Sequence, residues 1–253
     1  MSAPVSQLIA HFIALDIELL ASRARLQART DGEALHDLRI VVRRLRSRLQ
    51  PLRGLPGIEN LETLAAEFGR LSTPLRDLEV LVAELERVGQ VKAAAVRRQR
   101  LEQGYARLLG DPVLLRLEHG LAQLPALLRE CQREGVLKGW RQRVHRRLHR
   151  QRTCLRQALL DPAHDRHRLR LLVKRLRYAA EVWPGQLAMP MAALKQAQSA
   201  LGDWHDRVVW CQLAADEQDL QPCLPHWRRE LAAAEVEADA ALLILRRELA
   251  GGD

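Results

Sequence analysis

Along nearly the whole chain apolar residues recur at intervals of three and four, and runs of β-branched residues are scarce. That period predicts helices throughout, and no segment alternates as a strand does. Leu38, Val42, Leu45, Leu49 and Leu52, for instance, share one face at about 100° per residue, the side that buries in a bundle. Cap residues, Gly and Pro place breaks at Thr30-Asp31-Gly32, Gly54-Leu55-Pro56-Gly57, Ser72-Thr73-Pro74, Gly110-Asp111-Pro112, Gly135, Asp161-Pro162, Pro184-Gly185, Gly202-Asp203 and Gln221-Pro222. These breaks predict about ten or eleven helices joined by short connections, so that consecutive helices pack antiparallel in bundles. The expected fold class is all-α.

The pattern also repeats. HDLRIVVRRLRSRL, residues 36 to 49, aligns with HRLRLLVKRLRYAA, residues 167 to 180, matching His36 to His167, Arg39 to Arg170, Arg43 to Lys174 and Arg46 to Arg177. Further along, PLRDLEVLV and WHDRVVWC place Asp77 and Asp206 at nearly the same distance from their histidines. Duplication is the economical explanation, and it predicts two helical bundles, residues 4–134 and 135–250, related by an internal pseudo-two-fold axis.

On the helical wheel His36, Arg39, Arg43 and Arg46 form a stripe on the flank of the apolar face, and His167, Arg170, Lys174 and Arg177 fall at the same angles. An ordinary solvated face would carry acids three or four residues away. Among the Arg and Lys members of the two stripes the only such acid is Glu181, beside Arg177, while Glu33 precedes His36 by three. Like charges at that spacing cost a few tenths of a kcal/mol per pair, so a row that repels itself points to a bound anion. The stripe covers roughly 15 Å of helix axis, which suits an extended polyanion, and the arginine fork binds phosphate oxygens two at a time. Asp77 and Asp206 are expected to orient these cations or to form structural ion pairs with them. Arg44 and Arg175 point toward the opposite flank. Lys138 to Arg156 holds eight Lys or Arg, two His and no acid, and Arg146 and Arg150 there are further, weaker candidates.

Overall charge agrees with this reading. Forty Lys and Arg against 31 Asp and Glu give +9 and a pI near 10.2, which predicts a polyanionic partner. The 253 residues, 47% hydrophobic, suffice for a packed core. The first twenty residues lack a basic leader and are interrupted by His11, Asp16 and Glu18, so neither a signal peptide nor a spanning helix is expected, and the chain is placed in the cytoplasm with no membrane partner. Cys131, Cys154, Cys211 and Cys223 show neither C-x-x-C nor zinc spacing and are read as reduced, largely buried thiols, with no metal site and no cofactor.

The duplicated H-x-x-R-x-x-x-[RK]-R-L-R pattern, the LRDLEV segment at 75–80 and the QSALGDWHD segment at 198–206 resemble the CHAD family, the conserved-histidine α-helical domain, over essentially the whole chain. The resemblance implies two antiparallel bundles facing each other across a pseudo-two-fold axis, with basic residues of both lining a central cavity that binds inorganic polyphosphate. It also implies association with polyphosphate granules and, because relatives often sit beside a triphosphate-hydrolysing CYTH domain, a polyphosphate-metabolising enzyme as partner. By motif position the ligands are His36, Arg39, Arg43, Arg46, His167, Arg170, Lys174 and Arg177, with Arg44, Arg146, Arg150 and Arg175 ranked below them. One departure is Ser72-Thr73 where the second half has Leu201-Gly202, which predicts a looser turn.

The reading is therefore non-catalytic polyphosphate binding, for granule association or phosphate-related regulation. Two other classes compete. His36-Asp37, His164-Asp165 and His205-Asp206 are HD dipeptides of the kind that supply ligands in metal-dependent phosphohydrolases, but arginines around each would oppose a divalent cation. A CYTH-type site would need an acidic strand motif, and Glu235-Val236-Glu237 lies in a helical, Ala-rich stretch. Nucleic-acid readout is disfavoured by one Asn, Asn60, and 4% aromatics, whereas weak, non-specific, salt-sensitive nucleic-acid binding is expected of a +9 surface. The five tryptophans are read as packing residues.

Overall fold

The computed structural model describes residues 3–163 and 165–250. His164, and with it one of the three HD dipeptides, lies outside the described residues. Nine α-helices account for most of what is described: α1 (Ala3–Ala28), α2 (Ala34–Leu49), α3 (Ile58–Arg87), α4 (Val91–Gly110), α5 (Pro112–Arg133), α6 (Trp140–Leu160), α7 (Arg166–Val182), α8 (Met191–Asp216) and α9 (Leu224–Ala250). Short 3-10 turns follow α2 and precede α9. No strand occurs among the described residues.

The helices fall into two compact units. The first comprises the chain up to Arg87 together with Ala94–Arg143, and the second comprises Val88–Ala93 and the chain from Val144 onward. In the first unit α1 packs on α2 and α5, and α3 packs on both α2 and α5. The apolar face expected of α2 is buried as read: Leu38, Val42, Leu45, Leu49 and Leu52 are all inside, each stabilising by roughly 2 kcal/mol before the entropy of ordering is subtracted. In the second unit Leu155 and Leu159 of α6, Leu169, Val173 and Leu176 of α7, Leu194 and Leu201 of α8, and Leu242 and Leu245 of α9 form one core.

Local chemistry sets most helix ends. Asp111 accepts a hydrogen bond from the Val113 N–H at 2.8 Å and Pro112 follows it, which starts α5 where expected. Asp165 does the same for the His167 N–H at 2.8 Å, and so starts the second basic helix. Between α5 and α6 the chain turns through Gly135 and Gly139, at φ +74° and +72°, a conformation that favours glycine.

Two expected breaks do not occur, and the helices number nine among the described residues. α3 runs straight through Ser72-Thr73-Pro74, and α8 runs through Gly202-Asp203, so there is no looser turn in the first half because there is no turn. Pro74 cannot donate to the carbonyl of Arg70, a helix-interior cost of ~3 kcal/mol. Around it Thr73 Oγ1 and Ser72 Oγ donate to the Gly69 carbonyl at 2.7 and 3.4 Å, and buried Phe68, Ser72 and Leu81 anchor both sides of the helix. Gly202 follows fully buried Leu201, whose packing outweighs the ~1 kcal/mol a mid-helix glycine loses. The chain instead breaks between α3 and α4 at Gly89, φ +77°, where no break was expected.

α1 is apolar on both faces. Over Val5–Ala28 its length and mean hydropathy of 1.4 meet the length and composition of a membrane span, a test that the core helix of a soluble protein also passes. One side of it, Leu8, Phe12, Leu15 and Leu19, is buried in the first unit. Of the cysteines, Cys131 and Cys223 are buried and Cys211 is half-buried, but Cys154 is exposed on α6, contrary to expectation. Trp227 and Trp210 pack ring to ring with centroids 5.6 Å apart, as packing residues should.

Candidate anion-binding stripes

The α2 stripe lies where that helix meets α3. Arg39 reaches across and gives one guanidinium nitrogen to Ser72 Oγ at 2.6 Å and the Gly69 carbonyl at 3.2 Å, and the other to Thr73 Oγ1 at 3.2 Å. All three acceptors are neutral. Burial, with Arg43 beside it, lowers the Arg39 pKa to about 10. Arg46 passes the same spot on α3, its Nη1 3.9 Å from where a Cβ on Gly69 would sit. His36 is half-buried, and burial followed by the charges of Arg76 and Arg43 pushes its pKa down.

Arg76 therefore belongs to this group, although it lies on α3. It donates to Glu79 Oε2 at 2.8 Å, and Tyr105 of α4 donates its hydroxyl to Glu79 Oε1 at 2.6 Å, a chain that fixes where Arg76 stands. Asp77 is near enough to favour the charged form of Arg39. Asp37 faces elsewhere, accepting from Arg25 at 2.7 Å.

In the second unit α7 presents His167, Arg170, Lys174 and Arg177 toward α8. The His167 ring lies 5.6 Å from that of His205 on α8. Burial, then Arg170, His167 and Lys174, lower the His205 pKa to about 4. Arg177 closes the stripe: it donates to Gln198 Oε1 at 2.5 Å and Glu181 Oε2 at 3.1 Å and lies over the Tyr178 ring at 4.0 Å. The acid expected at this position does partly neutralise it.

Two members thus escaped the sequence reading, Arg76 and His205. Both immediately precede the repeated aspartates, Asp77 and Asp206, so the repeat itself carried the signal. A helix wheel registers only cations on the same helix, and these two come from the helix packed alongside. Among the described residues the HD dipeptides are engaged in other ways: Asp37 is paired with Arg25, Asp165 caps α7, and His205 faces Arg170 and Lys174.

The sequence profile of the CHAD domain matches residues 13–215, most of the chain and both stripes. The chain belongs to the CHAD family. The CHAD fold is seen again in solved structures. The crystal structure of the CHAD domain from the plant Ricinus communis superposes with a TM-score of 0.72 at 24% identity, covering 97% of this chain and 91% of the other. PptA from Streptomyces chartreusis gives 0.57 at 21% identity, covering 94% and 98%. No curated protein matches in sequence.

Within this CHAD chain the lower-ranked Arg44 leans toward Glu18 of α1, 3.4 Å away, and Arg175 is exposed. Arg146 and Arg150 are exposed on α6, on the side opposite the Val144, Leu148, Leu155 and Leu159 seam and turned away from the helices that seam packs against.

Proposed function

We propose that this CHAD chain binds inorganic polyphosphate without catalysis, through His36, Arg39, Arg43, Arg46 and Arg76 in one unit and His167, Arg170, Lys174, Arg177 and His205 in the other. The observation that carries the proposal is the state of Arg39, a half-buried guanidinium hydrogen-bonded only to neutral oxygens, on which burial and the charges of Arg43 and Arg76 outweigh those of Asp77 and Glu79. Desolvating like charges side by side is costly unless an anion completes the site. Neutral acceptors aim the fork without cancelling its charge, which leaves that charge for a phosphate chain. A flexible polyanion can touch several such cations at once, while orthophosphate meets one or two. The proposed setting is the cytoplasm, at polyphosphate granules or beside an enzyme that makes or consumes the polymer.

A competition titration at about 0.15 M salt tests this, with long-chain polyphosphate, triphosphate and single-stranded DNA displacing one labelled polyanion. Long polyphosphate should compete far better per molecule than triphosphate, and DNA only weakly. Equal competition by all three would reduce the site to diffuse surface charge. Polyphosphate should also raise the melting temperature, whereas magnesium alone should leave it unchanged; marked stabilisation by the metal alone would favour the phosphohydrolase reading.

A further inference from the structure

We propose that the outward face of α1 is a self-association surface, on which two copies of this chain pack α1 against α1 about a two-fold axis near Ile17. Opposite its buried side, α1 exposes Ala10, Ile13, Ile17, Leu20 and Ala24, and Ile13, Ile17 and Leu20 are 40%, 63% and 48% exposed. Their spacing of three, four, three and four is that of a coiled-coil seam. Ala14 and Ala21 border the seam and let a second helix come close. No charged residue interrupts this arc, in a chain where 28% of residues are charged. A surface helix that is apolar on both sides is expected only where something covers the second side.

Three observations favour a second copy over other occupants. A heptad seam is self-complementary, so an isologous contact sets Ile17 against its own mate and Ile13 and Leu20 around it. The contact itself is uncharged, so the +9 of each copy is not brought to the interface. A lipid surface would ask for basic residues along the flanks. Here Arg23 is tied to Glu118 at 2.5 Å and Arg25 to Asp31 and Asp37 at 2.7 Å, while Glu18 stands on the flank paired with Arg44. The seam runs roughly 21 Å from Ala10 to Ala24 on a helix about 10–12 Å wide. Two copies would bury on the order of 600–800 Å², below the ~1,200 Å² of stable complexes and within the range of weak, reversible ones.

Sedimentation equilibrium of the full chain, free of polyphosphate, from about 5 to 500 μM is the test. The weight-average mass should rise from 28.8 kDa toward twice that value. Ile17→Glu should stay at the single-chain mass throughout, a loss of affinity of about 30-fold or more, with an unchanged melting temperature because the position is exposed. If that variant melts early, Ile17→Ser serves in its place. A wild-type mass that stays at 28.8 kDa up to the highest concentration, or a dimer that survives both substitutions, overturns the proposal. So does a monomer that co-sediments with phosphatidylcholine or phosphatidylserine vesicles and loses that binding on Ile17→Glu, since the face would then be a membrane surface.

Discussion

Replacing Arg39 and Arg43 together by Ala removes two of the four arginines, with Arg46 and Arg76, that crowd the α2–α3 side of the first unit. For stability two effects oppose each other. Lowering a guanidinium pKa from 12.5 to about 10 corresponds to an upper bound of about 3 kcal/mol of unfavourable burial and repulsion, which Ala relieves. Against this stand the three hydrogen bonds of Arg39 to Ser72, Thr73 and Gly69, together about 3 kcal/mol at ~1 kcal/mol net each. The melting temperature should therefore move by only a few degrees. For binding nothing offsets the loss. Two charge-assisted contacts to phosphate are worth roughly 2–4 kcal/mol, a loss of about 30- to 1,000-fold. The slope of log K against log salt should become shallower by about 1.4, taking roughly 0.7 per contact as for a single-stranded polyanion. The assay is the displacement titration repeated at several salt concentrations. Its control must be chosen from the structure: Arg97 and Arg98 look equivalent in sequence, but Arg97 is 1% exposed, so exposed Arg107 and Arg116 are the proper pair. Equal losses in Arg107→Ala/Arg116→Ala, or an unchanged slope in the stripe variant, would refute the assignment. A stripe variant that unfolds early would show that the arginines hold the bundle.

Protonation supplies a second prediction. His205 has its folded pKa held at about 4, below the ordinary 6.5, so the unfolded chain binds its proton first and the ligand-free protein should lose stability as pH falls from about 6.5 toward 4. A phosphate chain beside Arg170, His167 and Lys174 would raise that pKa, so polyphosphate affinity should grow over the same pH range and its binding should take up protons; thermal melts and titrations with His205→Asn, which should flatten both trends, check this. A third concerns α1 and α5: burial raises the Asp16 pKa, and burial, with a smaller push from Asp16, raises that of Glu118, so Asp16→Asn should stabilise the fold by about 0.5–1 kcal/mol at pH 7. That gain should fade in melts at lower pH as the wild-type carboxyl takes its proton, and a gain independent of pH would exclude the electrostatic cause.

Periodicity, caps and the repeat determined much of this CHAD protein before any coordinates. Helix type, the buried face of α2, the starts of α5 and α7 and the existence of two basic stripes all depend on residues within a few positions of one another, where three-and-four spacing and an Asp before a helix act locally. Tertiary structure decided the rest. Pro74 and Gly202 carry breaker chemistry, yet both sit inside continuous helices, because burial of Phe68, Ser72 and Leu81 around one and Leu201 beside the other outweighs a local cost that the sequence shows alone. Arg97 reads as one more surface cation and is buried, while Cys154 reads as a core thiol and is exposed. The largest difference lies in the stripes. A helix wheel orders cations along one helix, but whether an arginine is neutralised or only aimed depends on what a neighbouring helix sets against it. Ser72, Thr73 and the Gly69 carbonyl aim Arg39, whereas Gln198 from α8 and Glu181 from the next turn of α7 hold Arg177. Arg76 and His205 enter the stripes only because α3 and α8 pack beside α2 and α7, a packing set by the apolar faces while the polar residues follow from it.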